Sequence, residues 1–295
     1  MLEKIDLKEK VTHGEKSFPL CVYHSKSDTN HFIGYHWHNE VEFFYLNKGN
    51  VIVSVDSAPI EVHAGEAVFV NSGQIHSGHL HYSTDCEFYA IVFNLNMLSS
   101  NTIGDCQNRY INTLMNKKYG LPQKYSKTSD WEIDILKQLK QIIHNYLNKV
   151  PGYEMAITGS LYTIISQLII HNKLIISNHA RDEGLHNYKR ENFKKVLNYI
   201  HTNYPNKIGL VDMANEINMS QYHFCRFFKS MSGQTPFAYL NDCRINQAVL
   251  LLCNSDRKVM DIAFDVGFTN FSYFIKIFKQ IKGCTPSKFV MLKGI

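Results

Sequence analysis

The last hundred or so residues contain an internal repeat, and it restricts what this chain can fold into more than any other feature. Ser220, Phe224, Arg226, Phe228 and Lys229 are followed by Gly233, Thr235 and Pro236. Asn270, Phe274, Lys276, Phe278 and Lys279 are followed by Gly283, Thr285 and Pro286 at the same spacing, 50 residues later. Upstream, Ala214 and Ala263 stand 49 apart, so the second copy has one more residue before its second element. Each copy reads as a short helix carrying a small alanine, a tight turn, and a second helix. Asn218 and Gly267 stand in the turns, and both residue types tolerate positive φ. Ser220 and Asn270 are N-cap residues, whose side-chain oxygens accept from first-turn amides. Gly233 and Gly283 end the second helices, and Thr-Pro restarts the chain. Two helix-turn-helix units are predicted.

The second helix of each unit has a defined inner face: Phe224, Phe228 and Met231 in one, Phe274, Phe278 and Ile281 in the other, at i, i+4 and i+7. The outer faces carry the residues expected to touch DNA. These are Gln221, Tyr222, Cys225, Arg226 and Lys229 in the first unit, and Phe271, Ser272, Tyr273, Lys276 and Lys279 in the second. Arg226 has the geometry to pair bidentately with guanine, and Gln221 reaches adenine or phosphate. Lys229 and Lys279, one turn further on, are phosphate contacts. Between the units, residues 237–254 lack Gly and Pro and read as one helix about 25 Å long. Such a rod would hold two recognition helices near successive major grooves, about 34 Å apart.

Charge agrees with this reading. Residues 1–185 hold 16 Lys/Arg and 19 Asp/Glu, a net of −3, whereas residues 186–295 hold 15 and 7, a net of +8. A basic module on a mildly acidic remainder suits a polyanion partner. The start of the chain has no apolar signal segment, and the most apolar stretch, 161–177, is interrupted by polar residues and too short to span a bilayer. Seven cysteines without a CxxC pair argue against a disulfide framework or zinc knuckle. A cytoplasmic protein is expected.

The first half follows a different period. Runs at 41–46, 51–55, 60–62, 67–70 and 88–93 are short and β-rich, and they are separated by turn signals. They predict an antiparallel sandwich or barrel. Residues 131–149 and 153–172 then read as two helices split by Pro151-Gly152, and the polar stretch 177–188 reads as a linker. The expected division is a barrel at 1–125, a helical pair at 126–176, a linker at 177–188 and an all-α DNA-binding domain at 189–295.

The C-terminal residues resemble the AraC/XylS family of transcription regulators. The resemblance is most specific at Ile262, Ala263, Gly267, Phe268, Tyr273, Phe274, Lys276, Phe278, Lys279, Gly283 and Pro286. Arg244, Ile245 and Ala248 also fit. It implies two helix-turn-helix units joined by a long helix, with Tyr222, Cys225, Arg226, Phe271, Ser272 and Lys276 at base-reading positions. Cys225 and Phe271 depart from the polar residues frequent there. The resemblance further implies double-stranded promoter DNA as partner, RNA polymerase as regulatory target, a homodimer, and no catalytic residues.

His36, His38 and Glu42, followed by His76, resemble the two motifs of a cupin barrel. Asn71 and Leu80 depart from that pattern. On one strand, His36, His38 and Glu42 would share a face by period 2. Three readings follow. The favoured one is an effector pocket without a metal or other cofactor, lined by His36, His38, Glu42, Phe44 and His76 and holding a sugar-like molecule. The second is a metal site at His36, His38, Glu42 and His76, which would suit zinc, iron, manganese or nickel. The third is a structural cluster. The rivals to an effector-controlled regulator are a metal-dependent cupin enzyme with a DNA-binding tail and an effector-independent regulator whose barrel only dimerises. The apolar stripes of the 131–149 and 153–172 helices could pack on the barrel, and the 131–149 helix is in addition the expected dimer contact.

Overall fold

The computed structural model describes residues 7–28, 31–56, 58–100, 104–116, 118–176, 182–255 and 257–293. Eight strands open the chain: β1 (Leu20–Ser27), β2 (His31–His36), β3 (Val41–Lys48), β4 (Asn50–Val55), β5 (Ala58–His63), β6 (Ala67–Val70), β7 (His76–Leu80) and β8 (Cys86–Phe93). After a short helix α1 (Asn112–Met115) come β9 (Tyr119–Gly120) and β10 (Lys124–Tyr125). Helices α2 (Asp130–Asn148) and α3 (Tyr153–Ile170) and strand β11 (Ile175–Ile176) follow. The remainder is helical: α4 (Asp182–Asn203), α5 (Leu210–Asn215), α6 (Gln221–Ser232), α7 (Pro236–Asn254), α8 (Val259–Asp265), α9 (Phe271–Lys282) and α10 (Pro286–Lys293). Two units divide between residues 190 and 191, inside α4. Among the described residues no helix is long and apolar enough to cross a membrane.

The first unit is built on two antiparallel sheets, one ordered β1-β8-β3-β6-β10 and one ordered β2-β7-β4-β5. The expected strands are present. Three more of the eight, β1, β2 and β7, mix strand formers such as Val22, Tyr23, Phe32 and Ile33 with His, Ser or Gly, so no clean apolar run marks them. They form because their backbone groups complete ladders whose other strands are strongly apolar. Strand β3 is buried on both faces along Val41 to Leu46. Phe44, Leu46, Val53, Val55, Val68 and Phe88 fill the space between the sheets. Phe43, Tyr45, Phe69, Ile91 and Phe93 point the other way, onto α2 and α3.

Helix α2 spends its apolar stripe in that second core. Ile135, Leu136, Leu139, Ile142 and Ile143 are all buried there. The stripe packs on the barrel, as its apolar period allows. The exposed side of α2 is polar, with Lys137, Lys140, Gln141 and His144. Among the described residues, the exposed apolar side chains of the helical pair are Leu147 near the end of α2 and Met155 and Ile170 on α3.

The polar run 177–188 also differs from expectation. Residues 177–181 lie outside the described residues, but α4 already begins at Asp182. The missing apolar period removes the sequence signal for a helix without preventing the longer helix that follows from extending backwards.

Glu132 anchors the start of α2. Its carboxylate accepts from Thr128 Oγ1 (2.6 Å), Ser129 Oγ (2.7 Å), Ser126 Oγ (2.9 Å) and Ser126 N (3.0 Å). Burial alone would raise its pKa, but these donors outweigh it and hold the carboxyl down at about 2. A depressed folded pKa contributes stability that is complete above the ordinary carboxylate range and is lost as pH falls through the folded value. Glu132→Gln is expected to lower unfolding free energy at pH 7 by up to about 3 kcal/mol. The gap from wild type should close between about pH 4.5 and pH 2, read from urea melts of both proteins. A gap independent of pH in that window would contradict this account.

Candidate DNA interface and ligand site

The second unit holds two helix-turn-helix units, α5–α6 and α8–α9, separated by α7. Their turns use the backbone conformations anticipated: Asn218 has φ +53° and Gly267 φ +97°. Gly267 cannot be replaced without strain, because a Cβ there would lie 2.4 Å from the Tyr204 carbonyl oxygen. Ser220 Oγ accepts from the His223 amide and Asn270 Oδ1 from the Tyr273 amide. Gly233 and Gly283 close α6 and α9 at φ +73° and +74°.

The inner faces are fully buried at Phe224, Phe228, Phe274 and Phe278. This leaves Gln221, Tyr222, Arg226 and Lys229 exposed on α6, with Cys225 half-buried. On α9, Ser272, Tyr273, Lys276 and Lys279 are exposed, while Phe271 is half-buried and stacks on Phe274. Arg226 lies over the Tyr222 ring, 5.8 Å from its centroid. The Tyr273 hydroxyl accepts from Asn241 Nδ2 of α7 at 3.1 Å, which ties the second recognition helix to the rod.

Helix α7 is unbroken over 19 residues, about 28 Å. Arg244 fixes it in place by donating to the Tyr204 and Asn206 carbonyls at 2.8 and 2.9 Å, with its guanidinium over Phe268. Two residues escaped the sequence reading here. His223 is exposed at the start of α6, and Asn241 positions Tyr273.

In the first unit, His36, His38, Glu42 and His76 come together, but not as a face of one strand. His36 ends β2 and is paired in register with His76, the first residue of β7, in the four-stranded sheet. Glu42 is on β3 of the five-stranded sheet, and His38 lies on the irregular connection between β2 and β3. His36, His38 and Glu42 do not share a strand face by period 2, because the chain leaves one sheet and enters the other between His36 and Glu42. Convergence arises across the two sheets.

Glu42 Oε2 lies 3.1 Å from His38 Nε2 and 3.3 Å from His76 Nε2. The His36 and His76 ring centroids are 4.0 Å apart. His38, Glu42 and His76 are buried and His36 is half-buried. Burial pushes His36 down to about 4, reinforced by the neighbouring His76. Burial likewise works against a charged His38, but the Glu42 carboxylate outweighs it and raises the imidazole. Glu42 is held well below the usual carboxylate range, since its histidine partners overcome the cost of burial.

Phe44, expected beside these residues, is fully buried in the packed interior, with its ring 4.9 Å from Phe88. Two residues of the N-terminal segment join the cluster without having been anticipated. The His13 ring lies 5.5 Å from that of His38, and Glu9 Oε2 is 3.9 Å from His36 Nε2. That segment has no periodicity to mark it, and it is brought in by backbone bonding of Glu9 to Trp37.

Two capped recognition helices on one rod, following a double-sheeted ligand-domain fold, define a DNA-binding transcription regulator. The comparisons agree. The profile described as "AraC-like ligand binding domain" matches residues 18–165, and that described as "Helix-turn-helix domain" matches residues 213–291. The chain belongs to the AraC family of transcriptional regulators.

Among its relatives is the uncharacterized HTH-type transcriptional regulator YdeC of Bacillus subtilis. It is 30% identical over 284 residues, covering 95% of this chain and 94% of that protein. The transcriptional activator RhaS of Escherichia coli is 23% identical, with 85% of each chain covered. Among solved structures, the DNA-binding domain of AdpA in complex with a target DNA is 25% identical, covering 34% of this chain and 90% of that one at a TM-score of 0.33.

Proposed function

We propose that the chain is an effector-controlled regulator of promoter DNA, reading bases chiefly through its first helix-turn-helix unit. The observation that carries this is the pair of solvent-facing polar surfaces on α6 and α9, set in one body on α7. Arg226 is the strongest base reader of the two helices, because an exposed guanidinium is suited to bidentate guanine recognition. Half-buried Cys225 and Phe271 contribute shape and methyl contacts, and Lys229, Lys276 and Lys279 bind phosphates. Gln221, Tyr222, Ser272 and Tyr273 complete the interface.

The effector is a small polar, sugar-like molecule bound at the His36–His38–Glu42–His76 end of the barrel, beyond the Phe44 packing. Supporting this are the match to an AraC-like ligand binding domain and the buried polar groups His13, His38, Glu42, His76 and Ser77, grouped beside the apolar interior around Phe44. Effector occupancy shifts the regulator between states that differ in DNA affinity, by no more than its differential affinity for those states. The protein works in the cytoplasm, acts on RNA polymerase at its promoters and catalyses no reaction. It functions as a homodimer, with exposed Leu147 on α2 and Met155 on α3 offering apolar area for the contact.

Arg226→Ala is expected to weaken binding to the cognate site by about 1–3 kcal/mol and to leave random-sequence binding nearly unchanged, measured by fluorescence anisotropy. Equal loss on both DNAs would make Arg226 a phosphate contact. A thermal-shift screen of sugars and related polyols on the full chain should find a ligand that raises the melting temperature and changes cognate-site affinity. A ligand that does neither across a broad panel leaves only the effector-independent reading. Sedimentation of the full chain at micromolar concentration should give a dimer mass, and a monomer would remove the dimer from the proposal.

A further inference from the structure

We propose that Glu61, His63 and His81 form a surface site for one divalent ion of the nickel, copper and zinc group, on the outward face of the four-stranded sheet. The site is separate from the His36–His38–Glu42–His76 end of the barrel. It goes beyond the reading of the chain as an effector-controlled regulator, and it stands whether or not the barrel takes a small molecule.

The register of the sheet brings these residues together. Val51, Val53 and Val55 of β4 are buried between the sheets, so Asn50 and Ile52 take the outward face. Asn50 pairs with His63 of β5, and Ile52 pairs with Glu61 of β5 on one side and His79 of β7 on the other. His79 is paired in turn with His31, the first residue of β2. His81 follows the end of β7, and its amide donates to the Asn50 carbonyl at 2.9 Å. Glu61 and His63, like His79 and His81, are two residues apart and so share a face. The outward face thus carries His31, His63, His79 and His81 around one carboxylate.

Glu61 Oε1 lies 3.7 Å from His81 Nε2 and 3.9 Å from His63 Nε2. These separations are too long for hydrogen bonds, and they match the spacing of about 3–4 Å that two donors keep around one zinc-class ion. Asn50 Nδ2 donates to the same carboxylate oxygen at 3.2 Å, so an amide outside the donor set already orients the carboxylate. The Tyr82 ring lies 4.0 Å from that of His81 and restrains the imidazole. His79 stands beside this group, and burial, reinforced by His31 and His81, drives it toward the neutral form that has a lone pair to give. Two imidazoles and a carboxylate suit nickel, copper and zinc better than the harder calcium or magnesium. Glu61 and His63 are exposed and His81 is half-buried, so an ion enters from solvent without opening the fold, and water fills its remaining positions.

The test uses the full chain, expressed without a polyhistidine tag and stripped with a chelator. Zn(II) and Ni(II) are titrated in by calorimetry, and imidazole nitrogen NMR spectra are recorded with and without Zn(II). Binding that shifts the ring nitrogens of His63 and His81 is expected. His63→Gln/His81→Gln should lower the stoichiometry by one ion per chain, and Asn50→Ala should weaken binding at this site by about 10-fold. His36→Asn, in the other histidine cluster, should leave this ion in place. Circular dichroism and the melting temperature without metal check that each variant is folded, which the surface position of these side chains favours. Absence of stoichiometric binding, or undiminished binding in the folded His63→Gln/His81→Gln protein, overturns the proposal. An ion lost in His36→Asn and kept in the double variant belongs to the barrel and overturns it equally.

Discussion

Strand β3 must satisfy two cores at once, and the rest of the first unit is arranged around that demand. Alternate residues go to opposite faces, so Phe43 and Tyr45 meet the helical pair while Phe44 and Leu46 meet the second sheet. A strand buried on both sides cannot slip by one residue without exchanging its two cores, and its register is therefore firmly set. The same alternation sends Glu42 inward beside Phe44. A carboxylate in that position carries a large desolvation cost, and it is tolerated because His38 and His76 stand at 3.1 and 3.3 Å. The polar cluster follows from the position of Glu42 on a strand buried on both faces.

The helical unit solves a different problem. Each recognition helix buries two phenylalanines completely and exposes the opposite face, so its polar side chains are held by a rigid interior. The two helices are then related through α7 rather than through each other. Arg244 holds α7 against the end of α4 and the turn of the second unit, and Asn241 holds Tyr273. Rigid spacing matters because phosphates and base edges recur at fixed intervals along a duplex. Two helices that keep their separation bind without losing interdomain freedom a second time.

Much of the helical unit was legible in the sequence because its information is local. Caps, positive-φ turn residues and C-terminal glycines act within a few residues, so Ser220, Asn270, Asn218, Gly267, Gly233 and Gly283 announce their roles directly. The barrel was less legible. Strands β1, β2 and β7 carry His, Ser and Gly where apolar alternation would have marked them, and they exist because neighbouring strands need partners. The stripe of α2 was visible as an apolar face. Whether such a face meets its own domain or another chain depends on distant residues such as Phe43 and Phe69, which no period in α2 encodes.

The amino-acid sequence by itself determined that this chain has a strand-rich half, a helical half and two helix-turn-helix units, for which residue type, period and spacing are enough. The meeting of His36, His38, Glu42 and His76 was legible only through their resemblance to the cupin motifs. Only the tertiary structure decided how the four residues meet. Two sheets bring them together, with His36 and His76 paired in register on one and Glu42 on the other. It also decided which nitrogen each ring presents, since the Gly34, Glu40 and Gln74 carbonyls lie beside the Nδ1 atoms. The physical reason is that a tautomer is chosen by its hydrogen-bond partner. These carbonyls take their positions from the backbone path of a bulged strand and two turns, which exist only once the sheets have closed.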